Sequence, residues 1–103
     1  FGTAIQLDQE RETAIYYNNR GLAFLRMERF EACFQDFDVA TQLNPNDPNY
    51  FFNRGNAYLT VKNVEQALSD LDEAISLAQS IPAYYHSKGV AFQALGRKAG
   101  AIE

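Results

Sequence analysis

The feature that most constrains the fold of this chain is a six-residue segment that occurs three times at a constant interval. The segment NRGNAY at 53–58 is preceded by NRGLAF at 19–24 and followed by SKGVAF at 87–92. The glycines of the three copies, Gly21, Gly55 and Gly89, are equally spaced along the chain. A fixed interval of about 20 to 50 residues is typical of proteins in which one supersecondary unit stacks on the next.

Each interval contains two stretches with helical spacing. On one side of 14–27, residues recur at i, i+1, i+4, i+7, i+8 and i+11, and 30–43 has the same kind of pattern. Only Glu28 and Arg29 separate the two stretches, so we predict two antiparallel helices joined by a short turn. The segment NPNDP at 44–48 ends the second helix, because Pro45 cannot continue it. The next helix can then start with Asp47 as its cap and Pro48 at its first position.

Other residues repeat with the same period. An aromatic pair precedes each glycine, and small and large residues alternate after it: Tyr16-Tyr17, Tyr50-Phe51 and Tyr84-Tyr85, then Cys33, Phe37 and Ala40, echoed by Ala67, Leu71 and Ala74. Together with the period and the closing Pro45, this pattern resembles the tetratricopeptide repeat, a helix-turn-helix unit. The family usually has an aliphatic residue before the glycine, where this chain has Arg20, Arg54 and Lys88.

The resemblance implies an all-α fold, a right-handed superhelical solenoid of antiparallel helix pairs. We expect one domain, 1–103, with a remnant helix and linker at 1–13, full repeats at 14–47 and 48–81, and a partial repeat at 82–103. Within the first part, Phe1–Leu7 is the expected remnant helix, and the polar linker ends at Thr13, a suitable N-cap. The last helix is expected to stop at Gly96. Because the chain starts and stops within a repeat, we expect a fragment of a longer array.

Three small residues have an expected packing role. Gly21, Gly55 and Gly89 sit where a larger side chain would hold two helices apart. Cys33 takes the place of Ala67 in the next repeat, so we interpret it as a small core residue and not as a nucleophile.

Composition narrows the function classes. The net charge is −4 and no basic run occurs, which argues against nucleic acid as the main partner. Apolar runs are far shorter than the roughly 20 residues that span a bilayer, so no membrane contact is expected. A single cysteine favours a reducing, intracellular setting, which we take as the cytoplasm. The lone His86 has no partners for a metal site or a triad, so we predict no enzyme, no cofactor and no metal.

The cations before the glycines need partners on an otherwise apolar helix face. Asp36 and Asp70 stand one period apart on the second helices. We therefore predict that Arg20 and Arg54 form ion pairs with these aspartates, within a repeat or across a joint between repeats.

In arrays of the resembled family, the first helix of each repeat lines a concave groove where partners bind. By resemblance, the exposed positions in this groove are Ile15, Asn18, Asn19, Leu22 and Arg26, then Asn49, Phe52, Asn53, Asn56 and Thr60, then Ala83, His86, Ser87, Val90 and Gln93. Asn19 and Asn53 share one register, and amides one repeat apart can hydrogen-bond the backbone of an extended peptide. The equally simple interpretation is that these residues form a solvated helix face.

We select a peptide-binding set from these positions: Asn18, Asn19, Leu22, Arg26, Asn49, Phe52, Asn53, Asn56, His86 and Ser87. Co-chaperones of this family grip acidic chaperone tails with a clamp of Lys, Asn and Arg, but only Asn53 matches that clamp here, so we reject this interpretation. The predicted function is a non-catalytic scaffold that binds a peptide or helix of another protein. The alternatives are a substrate-recruiting arm of a larger enzyme, such as a glycosyltransferase, or self-association through exposed solenoid ends.

Overall fold

Five α-helices make up the structure, a computed structural model that describes the backbone of residues 4–102 and the side chains of residues 5–96. They are α1 (Ala4–Arg26), α2 (Phe30–Leu43), α3 (Pro48–Thr60), α4 (Val64–Leu77) and α5 (Pro82–Ile102). No strand occurs between residues 4 and 102. The predicted all-α solenoid is therefore confirmed.

The helices stack in chain order. α1 packs on α2 and α3 on α4, while α2 packs on α3 and α4 on α5 across the joints between repeats. The first helices of neighbouring repeats also touch, α1 against α3 and α3 against α5. The result is an elongated body of 56 × 30 × 20 Å in which α3 lies between α1 and α5.

The turn between the two helices of a repeat has the same geometry twice. Glu28 and Lys62 adopt the left-handed conformation, with φ of 59° and 66°. The next backbone amide closes the turn: Arg29 donates to the Phe24 carbonyl at 2.9 Å, and the amide of residue 63 repeats this bond at 2.9 Å. These are the bonds of a Schellman motif, which satisfies carbonyls at a helix end.

The predicted start of α3 is confirmed. Asp47 is the N-cap residue, and its Oδ1 accepts a hydrogen bond of 2.9 Å from the Asn49 amide. Pro48 occupies the first helical position, where its missing N–H costs nothing. The break between the two full repeats is thus encoded by two adjacent residues.

The predicted linker over 8–13 is wrong, because α1 runs through it without interruption. Its sequence, DQERET, contains no glycine or proline and is rich in good helix formers. Asp8 and Arg11 lie one turn apart with a 4.0 Å contact between exposed side chains. Thr13 is not an N-cap; its hydroxyl donates to the Gln9 carbonyl at 2.7 Å within the helix.

The predicted end of the last helix at Gly96 is also wrong, since α5 continues to Ile102. Gly96 shares its register with Glu28 and Lys62, where the chain turns so that a second helix can pack on the first. None of the residues with described side chains lies within 4 Å of a Cβ position at Gly96. The next residues, RKA at 97–99, have high helix propensity, and this local preference explains why α5 continues past Gly96.

Small residues fill the centre of the helix pairs as predicted, with one exception. Cys33 is fully buried, and it packs with Phe37 and Ala57. Gly21 lies against Phe37 and Gly55 against Leu71, so both glycines allow close helix approach. The same expectation does not hold for Gly89, because a Cβ there would meet nothing within 4 Å among the described residues.

Candidate peptide-binding surface

We call the predicted groove positions on α1, α3 and α5 the inner surface. The structure divides them by exposure. Nine are exposed: Ile15, Asn19, Arg26, Asn49, Thr60, Ala83, His86, Val90 and Gln93. Leu22, Phe52, Asn53 and Asn56 are half-buried, and Asn18 and Ser87 are buried.

The expectation that Asn18 is exposed is wrong. Only 9% of Asn18 is accessible, and its Oδ1 accepts a 2.9 Å hydrogen bond from Asn53 Nδ2. This bond joins α1 to α3, so both amides hold a joint between repeats. Asn53 was expected to face a ligand. One of its two N–H hydrogens is instead donated to Asn18 within the protein.

Ser87 is also buried, at 8% exposure, which corrects the same expectation. It lies one period after Asn53, on the helix that packs against α3. In the joint between α3 and α5, the side-chain hydrogen bond lies one helical turn earlier in the sequence than the equivalent of the Asn18–Asn53 bond. Tyr84, 2% exposed, donates from its hydroxyl to Asn49 Oδ1 at 2.6 Å. Its ring is tilted by 39° against the Phe52 ring, with 4.8 Å between the ring centroids.

Burial around Tyr84 also affects its ionisation. Desolvation of the phenol, with a smaller contribution from the charge of Asp47, raises the pKa of Tyr84 above its usual range. The hydroxyl therefore stays protonated near neutrality and acts as the donor to Asn49. Asn49 and Phe52 thus contribute to the joint as well as to the inner surface.

The two asparagines in one register differ in their surroundings. Asn19 is exposed, and its side chain forms no hydrogen bond with the described residues. Asn53 is half-buried, and its carbonyl oxygen accepts no hydrogen bond from them, because only its amide nitrogen contacts Asn18. One full amide and one carbonyl oxygen are therefore available for an extended backbone.

The inner surface carries no carboxylate. Its chargeable members are Arg26 and His86, both exposed, and the other thirteen positions are uncharged. The whole chain, in contrast, has a net charge of −4. Exposed apolar side chains also lie here, Ile15 at 50% and Val90 at 42%. The surface suits a ligand that combines backbone hydrogen bonds with modest apolar contacts.

The predicted ion pairs are confirmed within each repeat. Arg20 donates from Nε and Nη2 to the two carboxylate oxygens of Asp36 at 2.7 and 2.9 Å. Arg54 binds Asp70 in the same bidentate way, at 2.8 Å for both bonds. Asp36 and Asp70 are 4% and 5% exposed, so each guanidinium neutralises a buried carboxylate.

These pairs raise the pKa of both arginines above the ordinary value. For Arg54, the hydrogen bond to Asp70 is the largest contribution, and burial opposes it. For Arg20, the hydrogen bond to Asp36 has the same leading role. The guanidinium groups are therefore permanent cations, and the pairs fix how α2 sits on α1 and α4 on α3.

A second set of ion pairs crosses the joints. Arg54 Nη1 donates to Asp38 Oδ1 at 3.0 Å and to Thr41 Oγ1 at 3.1 Å, both on α2. Lys88 on α5 contacts Asp72 on α4 at 2.7 Å. Asp38 and Asp72 are one period apart, so the repeat pattern contained a signal for this second set.

Two further findings concern the described residues as a whole. No helix of theirs combines the length and the apolar character that a membrane crossing requires. Between the first and last described side chains, no three His, Cys, Asp or Glu residues are grouped so that they could hold a metal ion.

Comparison with known proteins identifies the family. The model of the tetratricopeptide repeat family matches residues 14–47 and 48–81, which is most of the chain. The chain therefore belongs to the tetratricopeptide repeat (TPR) family. No curated protein is significantly similar to it in sequence.

Several solved structures share the fold. The Arabidopsis OM64 TPR domain superposes with a TM-score of 0.81 at 23% identity, covering 85% of this chain and 73% of its own. The first TPR domain of Spaghetti (RPAP3), bound to the HSP90 peptide SRMEEVD, gives 0.81 at 23%, covering 84% and 69%. The second TPR domain of Spaghetti (RPAP3), bound to the same peptide, gives 0.80 at 26%, covering 86% and 82%.

Proposed function

We propose that this chain is a non-catalytic protein–protein interaction module that binds an extended peptide or a helix of a partner along its inner surface. Membership of the TPR family supports the class of function. Two of the similar structures, the Spaghetti (RPAP3) domains, hold a peptide of HSP90. The observation that carries the proposal is the placement of α1, α3 and α5 side by side with exposed uncharged side chains.

The contacts favour a ligand of low charge. Asn19 and the carbonyl oxygen of Asn53 can pair with the backbone of an extended segment, because each offers hydrogen-bonding capacity that the fold does not use. Ile15 and Val90 offer apolar contact at opposite ends of the surface. Arg26 and His86 can hold a single carboxylate or a backbone carbonyl at the rim.

A strongly acidic peptide is a poor match for this surface. The peptide SRMEEVD bound by the Spaghetti (RPAP3) domains has three acidic side chains and a C-terminal carboxylate. The positions expected to clamp such a tail have no cation in this chain; they are Asn18, Leu22, Asn53, Ala83 and Ser87. Removing a carboxylate from water without a partner cation costs more free energy than its new contacts recover. We therefore propose that the ligand differs from an acidic tail.

The test is affinity capture with the immobilised chain, quantified by mass spectrometry. A triple variant, Asn19→Ala with Arg26→Ala and His86→Ala, changes exposed side chains only, so the fold is retained. Captured partners should fall at least tenfold. The matched control replaces two exposed residues of the second helices, Gln35→Ala with Glu73→Ala, and should capture as much as the original chain.

Two outcomes would refute the proposal. Equal capture by the inner-surface variant and the control would show that the partner binds elsewhere. Tight, saturable binding of SRMEEVD in a direct titration would refute the preference for a ligand of low charge, whereas binding weaker than about 1 mM would agree with it.

A further inference from the structure

Two side-chain amides of α3 are each hydrogen-bonded to a neighbouring helix, and they use opposite ends of the amide to do so. Asn53 donates from Nδ2 to Asn18 Oδ1 of α1 at 2.9 Å. Asn49 instead accepts through Oδ1, from the Tyr84 hydroxyl of α5 at 2.6 Å. Because an amide has one donor end and one acceptor end, each contact also decides which end remains for a ligand.

The atoms that remain differ in hydrogen-bonding character. At Asn49 the side-chain nitrogen donates to none of the described residues. At Asn53 the side-chain oxygen accepts from none of them. On the inner surface, α3 therefore offers a donor at Asn49 and an acceptor at Asn53.

The partners of these amides are held by their surroundings. Asn18 is 9% exposed and Tyr84 is 2% exposed, and the Tyr84 ring packs on Phe52. Rotation of Asn49 would leave the hydrogen of the buried Tyr84 hydroxyl without its acceptor. Rotation of Asn53 alone would bring its oxygen against the Asn18 oxygen. Both amides are thus kept in the orientation that the contacts define.

Neither contact is required by the repeat itself. In the other joint, one amide of each pair is replaced by an apolar side chain, so the same bond cannot form there. The positions equivalent to Asn49 and Tyr84 are Ile15 and Tyr50, and those equivalent to Asn18 and Asn53 are Phe52 and Ser87. Both contacts are therefore departures from the period, and both act on the helix that lies between α1 and α5.

The spacing of the two amides suits an extended ligand. Asn49 and Asn53 lie one helical turn apart, where side chains are neighbours with about 5 to 6 Å between Cβ atoms. An extended chain advances about 3.3 Å per residue and presents N–H and C=O groups along its edge. A segment of two or three residues can thus contact both amides. Asn19 on α1, which no described residue holds, can rotate to pair with either kind of group.

We propose that α3 determines which backbone groups a ligand presents to the inner surface. Asn49 donates to a backbone carbonyl and Asn53 accepts from a backbone N–H of an extended, uncharged segment. Tyr84 and Asn18 are positioning residues, because they fix which atom of each amide faces the ligand. This assignment rests on the proposed function of the inner surface and adds a selectivity to it: proline, which has no N–H, is excluded opposite Asn53.

The probe for the test is a peptide selected for the inner surface. A phage-displayed library of heptapeptides built from uncharged residues is first depleted on the variant with Asn19→Ala, Arg26→Ala and His86→Ala. It is then selected on the original chain. The most enriched peptide is synthesised with blocked ends and a fluorescein label, and its affinity is measured by fluorescence anisotropy.

The key comparison makes one chemical change at two positions of α3. Asn49→Asp and Asn53→Asp each replace an amide by a carboxylate of the same shape, with the same added charge. Asn49→Asp still accepts from the Tyr84 hydroxyl but presents an acceptor in place of the donor. Asn53→Asp keeps an acceptor towards the ligand, and the Asn18 amide can rotate to donate to it. The peptide should bind Asn49→Asp at least tenfold more weakly than Asn53→Asp, because a hydrogen bond is lost and two acceptors meet.

The role of Tyr84 has its own test. Tyr84→Phe keeps the ring and removes only the hydroxyl, so binding should weaken two- to fivefold as the Asn49 amide becomes free to rotate. In ¹⁵N relaxation, the side-chain NH₂ of Asn49, identified by its loss in Asn49→Asp, should become more mobile. The matched control is Tyr85→Phe, which removes a hydroxyl that donates to the Gln79 carbonyl and should change neither quantity.

The ligand side is tested with peptides in which one backbone N–H at a time is replaced by an ester oxygen. One replacement should weaken binding to the original chain at least fivefold, and the same replacement should weaken binding to Asn53→Ala at most twofold. That pattern identifies the N–H that Asn53 accepts. Circular dichroism of each variant checks that the helices are retained.

The outcomes separate this proposal from the function on which it rests. A ratio below tenfold between Asn49→Asp and Asn53→Asp, or an ester series in which no loss depends on Asn53, overturns the assigned donor and acceptor while the inner surface still binds the peptide. Unchanged amide mobility and affinity in Tyr84→Phe overturn the positioning role of Tyr84. If no peptide is enriched on the original chain over the depletion variant, the proposed function fails, and this assignment with it.

Discussion

The three repeated glycines allow one chemical change to be made in three different environments. In a helix interior, alanine is favoured over glycine by about 1 kcal/mol, because glycine loses more backbone freedom on folding. At Gly89 a Cβ meets nothing within 4 Å in the described part of the chain, so only this gain applies. We expect Gly89→Ala to raise the free energy of unfolding by about 0.5 to 1 kcal/mol.

At Gly21 the same change meets a packed ring. The added Cβ would lie 2.8 Å from Phe37 Cε1 and 2.9 Å from Cδ1, and Phe37 is fully buried. Moving a ring in a packed core costs about 1 to 3 kcal/mol, which exceeds the helix gain. We expect a net loss of roughly 1 to 2 kcal/mol for Gly21→Ala.

Gly55 is intermediate. Its nearest neighbours are Leu71 Cγ at 3.1 Å and the Ala67 carbonyl oxygen at 3.3 Å. These contacts need a shift of only a few tenths of an ångström, although the backbone oxygen cannot rotate away as a side chain can. The expected net loss for Gly55→Ala is about 0 to 1 kcal/mol, since the strain roughly offsets the helix gain.

Urea denaturation followed by far-UV circular dichroism gives the free energies of unfolding, and thermal melts should show shifts of roughly 4 to 8 °C per kcal/mol. The predicted order of stability is Gly89→Ala, then the original chain, then Gly55→Ala, then Gly21→Ala. If Gly21→Ala stabilises the chain as much as Gly89→Ala does, helix propensity alone decides and the packing argument is wrong.

The other predictions concern four single residues. Lys62→Gly should stabilise the chain by about 1 kcal/mol in urea denaturation, because Lys62 has φ of 66°, which favours glycine. Arg54→Met should cost about 3 to 5 kcal/mol, since it leaves buried Asp70 without its cation. Lys88→Met should cost under about 1 kcal/mol, because Asp72, its partner, is exposed. Burial raises the pKa of the Cys33 thiol from 9.0 to about 11, so its contribution to stability is full below pH 9 and is lost as the pH rises to about 11.

Each of these predictions has a direct control. Glu73→Gly, in the middle of α4, should destabilise the chain where Lys62→Gly stabilises it. Equal losses for Arg54→Met and Lys88→Met would contradict the assigned difference in burial. Cys33→Ala, which copies the next repeat, should flatten the stability profile between pH 9 and 11; an unchanged profile would exclude the thiol as its cause.

The repeated glycine and its surroundings were sufficient to predict the fold. A constant period with two helical patterns in each unit leaves little choice besides stacked helix pairs. The ion pairs followed from the same period, because Arg20 and Arg54 need carboxylates and Asp36 and Asp70 recur in step. Asp47 and Pro48 are local signals, and local signals are read reliably from sequence.

The errors at the inner surface arose where packing between repeats decides the outcome. Register alone places Asn18 and Ser87 on the first helices, but it does not say that both are buried or that Asn18 contacts Asn53 of the neighbouring first helix. The contacts Asn18–Asn53 and Asn49–Tyr84 each span one residue more than the period, because the joint offsets one helix from the next. Residues 8–13 were misread as a linker because their polarity was taken for a break.

The joints also set the shape of the inner surface. Arg54 holds α4 through Asp70 and α2 through Asp38, so one side chain sets both the pairing within its repeat and the stacking on the preceding one. The spacing of α1 and α3, and hence the shape of the inner surface, depends on that stacking.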